Sequence, residues 1–205
     1  TTISHCWITN NTSHGINIPS SYRMDNCLIA RNGGYGVNGT QLTGYDTSIA
    51  VNCTIADNRG AYGVVGAGNY VWAGAQSFYD CVLSGHKTCF YRSGAGYGFA
   101  GRIDIHNCVL GNATNYCAKA SEYRIIADDH TLEVEDVKLE TRRARRLYWP
   151  LPGSPVLGRA TSRNGTLPVS VTTDLKGSEI NLNRCFADGC FQPFGHGLML
   201  FLKGR

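Results

Sequence analysis

The feature that most constrains this chain is a cysteine that recurs five times in the same short phrase. Asn, Asp or His precedes the cysteine and Ile or Leu stands two residues after it, as in HCWI, NCLI, NCTI, DCVL and NCVL. The cysteines lie at intervals of 21, 26, 28 and 27 residues and are Cys6, Cys27, Cys53, Cys81 and Cys108. Repeats with periods of ~20 to ~50 residues are typical of solenoids, in which each unit buries its apolar face against the next. The chain is therefore predicted to be a repeat protein.

The composition favours strands over helices. Glycine accounts for 25 of the 205 residues, and only 17% of the residues are charged. Long helices need many good helix formers, whereas Gly, Asn, Thr, Ser and Tyr favour short strands and tight turns. We therefore predict an all-β fold.

Charge and hydropathy exclude two classes of partner. The net charge is only +4, and much of the basic excess lies in one arginine run between residues 142 and 146 rather than along a groove, which argues against nucleic acid. No stretch of ~18 apolar residues is present, so we predict no membrane span. Because no phosphate-binding or zinc-binding motif appears, we predict no cofactor and no metal.

Alignment on the cysteine shows how one coil is built. The position three residues earlier is mostly apolar, and the position two residues later is always aliphatic. In an alternating strand, the cysteine and this aliphatic residue face inward. Five residues after the cysteine stand Asn11, Asn32 and Asn58. We predict that these asparagines form a left-handed corner and hydrogen-bond from coil to coil.

The five cysteines predict a column of buried, mostly reduced thiols rather than a set of disulfides. Free cysteine behaves as a small apolar side chain and is often buried. Cys185 and Cys190 differ because they lie outside the repeats, in the short segment CFADGC. For this pair both a disulfide and free thiols stay open.

The pattern I-x-N-C-x-I-x-x-N-x-x-x-G-I, nearly intact from Met24 to Val37, resembles the repeat of pectate-lyase-like proteins. The resemblance covers residues 1–118 and implies a right-handed parallel β-helix solenoid of about five coils. Residues 119–205 would then hold the last coil, an edge strand and a carboxyl-terminal cap of the same domain. The phrases GSPVLG, DLKG and ADGCFQP in this part are similar to the closing segment of secreted bacterial β-helix proteins. This similarity implies a secreted or cell-surface location.

The amino-terminal end reads as a strand in the middle of a repeat. The sequence opens on TTISHC, which already contains the first cysteine phrase. An uncovered coil would expose sheet edges to aggregation. We therefore expect further β-helix coils, or another chain, to cover this end.

The candidate chemistry lies on outward residues near the cysteines, because the interior of a solenoid is committed to packing. If the coils stay in register, Asp80 stacks near Asn107, and Tyr79 lies beside His106. A polysaccharide lyase needs a base to remove a proton next to a carboxyl group, and a cation to stabilise the charge that develops. The residues that could fill these roles are Tyr79, His106, Arg102 and Arg23.

A glycosidase would need two carboxylates ~5 to ~10 Å apart, and Asp80 and Asp104 form the best pair. Substrate binding is predicted for Arg102 and for the aromatic residues Trp72, Tyr70 and Tyr97, because aromatic faces suit sugar rings. The opposing interpretation is structural. An Asn or Asp that recurs before the cysteine is expected to satisfy backbone groups at a bend.

Two functions therefore follow from the residues. The first is an extracellular β-helix protein that binds or degrades polysaccharide. The second is a non-catalytic surface or structural solenoid that assembles with other chains. The sequence does not decide whether the chain is an enzyme.

Overall fold

A computed structural model describes residues 1–39, 47–66, 74–92, 101–119, 125–142 and 147–157, with residues 159 and 175. These residues form an all-β parallel solenoid, which confirms the predicted fold class. Within the described ranges, the chain forms no helix of the length and hydrophobicity needed to span a membrane.

The strands, numbered in chain order, form three parallel sheets. The first sheet contains β1 (Thr2–Ser4), β4 (Arg23–Asp25), β7 (Ser48–Val51), β10 (Gln76–Tyr79), β13 (Ile103–His106) and β16 (Ile125–Ala127). The second sheet contains β2 (Trp7–Thr9), β5 (Leu28–Ala30), β8 (Thr54–Ala56), β11 (Val82–Ser84), β14 (Val109–Gly111) and β17 (Leu132–Val134). The third sheet contains β3 (Ile16–Asn17), β6 (Val37–Asn38), β9 (Tyr62–Gly66), β12 (Thr88–Arg92) and β15 (Asn115–Lys119).

The chain visits the three sheets in turn, and the cysteine lies at the bend between the first and the second. The first two sheets each have six strands, one more than the number of cysteine phrases, because β16 and β17 continue the stack after Cys108. Thr131 takes the cysteine position there. The Cys108 N–H donates to Thr131 Oγ1 at 3.3 Å, just as the Cys81 N–H donates to Cys108 Sγ at 3.4 Å.

The interior holds the cysteine column and the aliphatic row beside it. The side chains of Cys27, Cys53, Cys81 and Cys108 are fully buried. All of the cysteines whose side chains are described are free, which confirms the prediction of reduced thiols. Burial raises the pKa of the Cys53 thiol, so it stays protonated and donates to the Val51 carbonyl at 3.3 Å. Cys185 and Cys190 lie outside the described residues.

The left-handed corners differ from their predicted positions. Asn32 and Asn58 form the predicted coil-to-coil ladder, since Asn32 Nδ2 donates to Asn58 Oδ1 at 2.8 Å. The positive φ angle lies one residue earlier, because the preceding residue must turn the chain before the asparagine side chain can point into the corner. The residues in this left-handed conformation are Asn10, Arg31, Asp57, Gly85 and Asn112, and a second set just before the cysteines comprises His5, Asn26, Asn52, Asp80 and Asn107.

The segment after β17, predicted to cap the last coil, includes a stretch that runs along the flank of the solenoid. The outward row of the second sheet is apolar, so it needs a cover. Tyr148 packs in one cluster with Leu28, while Val137 and Val156 pack on Val82. The described part of this segment therefore closes the outer face of the second sheet.

Candidate functional site

The outer face of the first sheet presents two rows of side chains, set by the in-register pairing of its strands. One row comprises Thr2, Arg23, Ile49, Ser77, Asp104 and Ile126. The other comprises Ser4, Asp25, Val51, Tyr79 and His106. On β10 and β13 the two rows place a tyrosine, a histidine and an aspartate on adjacent strands.

Tyr79 and His106 form a stacked ring pair on this face, as the register predicted. Their ring centroids are 4.6 Å apart and their planes differ by 12°. Both side chains are partly exposed. His106 Nδ1 lies 3.6 Å from Asp128 Oδ2, so the Asp128 carboxylate is next to this ring nitrogen.

Asp128 is held by the turn that follows β16. The Asn107 N–H donates to both of its oxygens, at 3.0 and 3.1 Å, and the Thr131 hydroxyl donates to Oδ1 at 2.9 Å. Burial raises the pKa of Asp128, but these hydrogen bonds and His106 together bring it below its usual range. Asp128 is therefore anionic at neutral pH. The sequence analysis missed Asp128, because its pairing with His106 depends on a turn that lies outside the cysteine repeat.

Arg102 and Asp104 add a charged pair to the same face. Arg102 Nε donates to Asp104 Oδ2 at 2.8 Å. The Arg102 side chain is 44% exposed, against 10% for Asp104, so the guanidinium faces solvent. Because Asp104 and His106 are two residues apart on β13, they share the outer face.

Arg23 shares this face but lies away from Tyr79, Asp104 and His106. Its row passes through β7 and β10 before it reaches Asp104. With strands ~4.8 Å apart, three steps separate Arg23 from Asp104 by about 14 Å. Arg23 is exposed at this distance from Asp104.

Asp80 does not lie on the open face. It belongs to a second ladder of polar side chains, formed by the residues just before the cysteines. It is 1% exposed, and its Oδ1 accepts a hydrogen bond from Asn107 Nδ2 at 2.7 Å. The stacking on Asn107 is the predicted one. This placement favours the structural interpretation of Asp80, because a carboxylate buried in the ladder is not presented to substrate together with Asp104.

Trp72, Tyr70 and Tyr97 lie outside the described residues, but the structure shows an aromatic stack that the sequence analysis missed. The stack follows the third sheet, with successive centroid distances of 4.7, 5.4 and 4.2 Å, and comprises His14, Tyr35, Tyr62 and Tyr91. The signal was present in three coils as an aromatic residue followed by Gly and then Ile or Val.

No group of three or more His, Cys, Asp or Glu side chains that could hold a metal ion occurs in the part of the chain that the structure describes. The chain matches no protein-family model, no curated protein and no solved structure. Any function assigned to it therefore depends on the geometry of the site.

Proposed function

We propose that this chain binds acidic polysaccharide across the outer face of the first sheet and cleaves it by β-elimination. The reaction would occur at the histidine cluster, defined as Tyr79, Arg102, Asp104, His106 and Asp128. The observation that carries the proposal is a partly exposed imidazole that stacks on a tyrosine and lies next to a carboxylate, with an exposed guanidinium on the same face. The resemblance to pectate-lyase-like proteins of secreted bacterial type agrees with this chemistry and with an extracellular location.

The base in this proposal is His106. Its Nδ1 faces Asp128, which leaves Nε2 to accept the proton from the carbon next to a substrate carboxyl group. The anionic Asp128 stabilises the imidazolium that results. The released electron pair forms a carbon–carbon double bond, the glycosidic C–O bond breaks, and the leaving oxygen takes a proton from water. The imidazolium then returns its proton to the hydroxide that remains. Arg102 binds the substrate carboxylate, on which charge develops.

The second candidate is a polysaccharide-binding solenoid without catalysis, and the Arg102–Asp104 pair favours it. At 2.8 Å, Asp104 already neutralises the cation that a substrate carboxylate would need. If substrate does not displace Asp104, the face binds sugar chains and leaves them intact. Arg23, on the same face, would contribute to binding in either case.

The test is incubation of the chain with polygalacturonate, alginate and a neutral glucan. The expected result is a rise in ultraviolet absorbance from unsaturated products with an acidic polymer. His106→Ala is expected to lower the rate at least about 100-fold while the polymer stays bound. His14→Ala is the matched control, because His14 lies just before β3 of the third sheet and its loss leaves the cluster intact.

The outcomes separate the two candidates. Binding of an acidic polymer without unsaturated products supports the non-catalytic function. Loss of binding in Arg23→Ala, with no loss in His14→Ala, places the polymer on the first sheet. If no polymer is bound or cleaved, both candidates fail.

A further inference from the structure

A cleft of ≈ 490 Å³ lies between the coils and the segment that crosses the second sheet. Asp57, Ser84 and Asn112 line it on the coil side, where strands of the second sheet end. Lys138, Leu139 and Leu151 line it on the segment side. Its size falls within the ~300 to ~1,000 Å³ of small-molecule sites. The second sheet separates this cleft from the histidine cluster.

The polar groups of the cleft are held in place by their neighbours. The Tyr148 hydroxyl donates to Asp57 Oδ2 at 2.8 Å, and Tyr148 itself is 1% exposed. The Ser84 hydroxyl donates to Asn112 Oδ1 at 2.9 Å. Asp136 Oδ1 accepts the Lys138 N–H at 2.8 Å. A ligand would therefore meet groups that are already oriented, which lowers the entropic cost of binding.

The cleft is lined by charged side chains of both signs. Asp57, Asp136 and Lys138 all line it. The ion pairs among the described residues involve other side chains, so none of these three side chains forms an ion pair with a described residue. Leu139, Leu151 and Pro152 add an apolar patch to the same walls. The cleft thus offers two carboxylates, one ammonium group and an apolar surface.

We infer that this cleft binds a neutral sugar of one or two rings. A hydroxyl group both donates and accepts, so it satisfies a carboxylate and an ammonium alike. An anionic ligand would be repelled by the two carboxylates, and a cationic ligand by the ammonium group, whereas hydroxyl groups meet no such repulsion. The C–H groups of a sugar ring suit the leucine and proline side chains. This site takes a neutral ligand and does not depend on the proposed cleavage of an acidic polymer.

The experiment is calorimetric titration of the full chain with cellobiose, maltose and lactose, and with galacturonate and glucosamine as charged comparators. The expected result is saturable binding of at least one neutral disaccharide, tighter than that of either charged probe. Lys138→Met and Asp136→Asn are each expected to weaken it about tenfold, because each removes a hydrogen bond to a charged group. Lys87→Met, at an exposed lysine outside the cleft, is the matched control and is expected to leave binding unchanged.

Three results would overturn the inference: no saturable binding of any neutral disaccharide, tighter binding of a charged probe, or equal weakening in Lys87→Met and Lys138→Met. Circular dichroism of each variant shows whether the fold is retained. His106→Ala, which removes the proposed base, is expected to leave disaccharide binding intact. A failure of the cleavage proposal is therefore distinguishable from a failure of this one.

Discussion

His86 continues the asparagine ladder with a different side chain. Its Nε2 lies 3.2 Å from Asn58 Nδ2 and 3.4 Å from the Asn58 backbone N, and both of these are donors. Nε2 must therefore accept, and the imidazole must be neutral. Burial lowers the pKa of His86 to about 4. A protonated His86 would bring an N–H against two other donors inside the solenoid.

The substitution His86→Asn is expected to remove a pH dependence of stability. The unfolded chain binds a proton at this residue below a pKa of 6.5, whereas the folded chain does so only near 4. The wild-type protein therefore loses stability as the pH falls through this window, by up to about 3 kcal/mol. The asparagine keeps the ladder and does not titrate. Urea unfolding at about pH 7 and about pH 4.5 measures the difference.

A second group provides an internal check on this prediction. The folded pKa of Asp128 is below its usual value of 3.8, so its contribution is lost mainly as the pH falls below about 4. Both proteins should share that loss. If the wild type and His86→Asn lose equal stability between the two pH values, the neutral His86 is not the cause.

At the scale of secondary-structure elements, one buried tyrosine attaches residues 147–157 to the coils. The Tyr148 hydroxyl accepts from Arg31 Nε at 3.2 Å and donates to Asp57 Oδ2. Burial and the nearby Asp57 raise the pKa of Tyr148, so this hydroxyl keeps its proton. The ring also packs in the cluster that contains Leu28 and Ala30. One side chain thus joins the segment to two successive coils.

The substitution Tyr148→Phe is expected to loosen this segment while the coils stay folded. It leaves Asp57 and Arg31 without their shared partner, at a cost of about 1 to 3 kcal/mol. Hydrogen exchange should therefore become faster in peptides from 147–157, with no change in β11 and β14. Tyr35→Phe is the control, because the Tyr35 hydroxyl makes no hydrogen bond among the described residues. An equal acceleration in every strand would show that Tyr148 stabilises the whole solenoid instead.

At the scale of the whole molecule, the sequence repeat was enough to predict the coils. Cys and Ile or Leu at a fixed spacing indicate which positions face inward. The pairing of Tyr79 with His106 followed from the same register. The role of Asp128 could not be predicted, since the turn from Ala127 to Leu132 contains one residue more than its counterpart on the previous coil. The contact of Tyr148 with Asp57 joins residues that are 91 positions apart. Because it does not recur from coil to coil, no period in the sequence could predict it.

The cysteine column predicts an order of thiol labelling in the native protein. Cys6 is half-buried, whereas Cys27, Cys53 and Cys81 are fully buried. Iodoacetamide should therefore modify Cys6 first, and the buried thiols only as coils open. In a protein made of residues 1–205 alone, the first coil has a neighbour on one side only, so Cys27 should react before Cys81. Peptide mapping by mass spectrometry measures each rate.

The control for this experiment is Cys6→Ala, in which the fast reaction should disappear and the slower ones persist. Equal rates at Cys27 and Cys81 would show that the coils open together as one cooperative unit. Rapid labelling of Cys81 without denaturant would contradict its burial.

The unequal spacing of the cysteines has a consequence for how such a chain can change. Met24 in the first sheet follows Ile16 in the third sheet by eight positions, whereas Ile105 follows Phe90 by fifteen. The paired positions nevertheless stay in register across every coil. Most of the added length is absorbed at this one corner. Loops at that corner could therefore be exchanged, by evolution or by design, to alter what the surface recognises while the thiol column beneath stays the same.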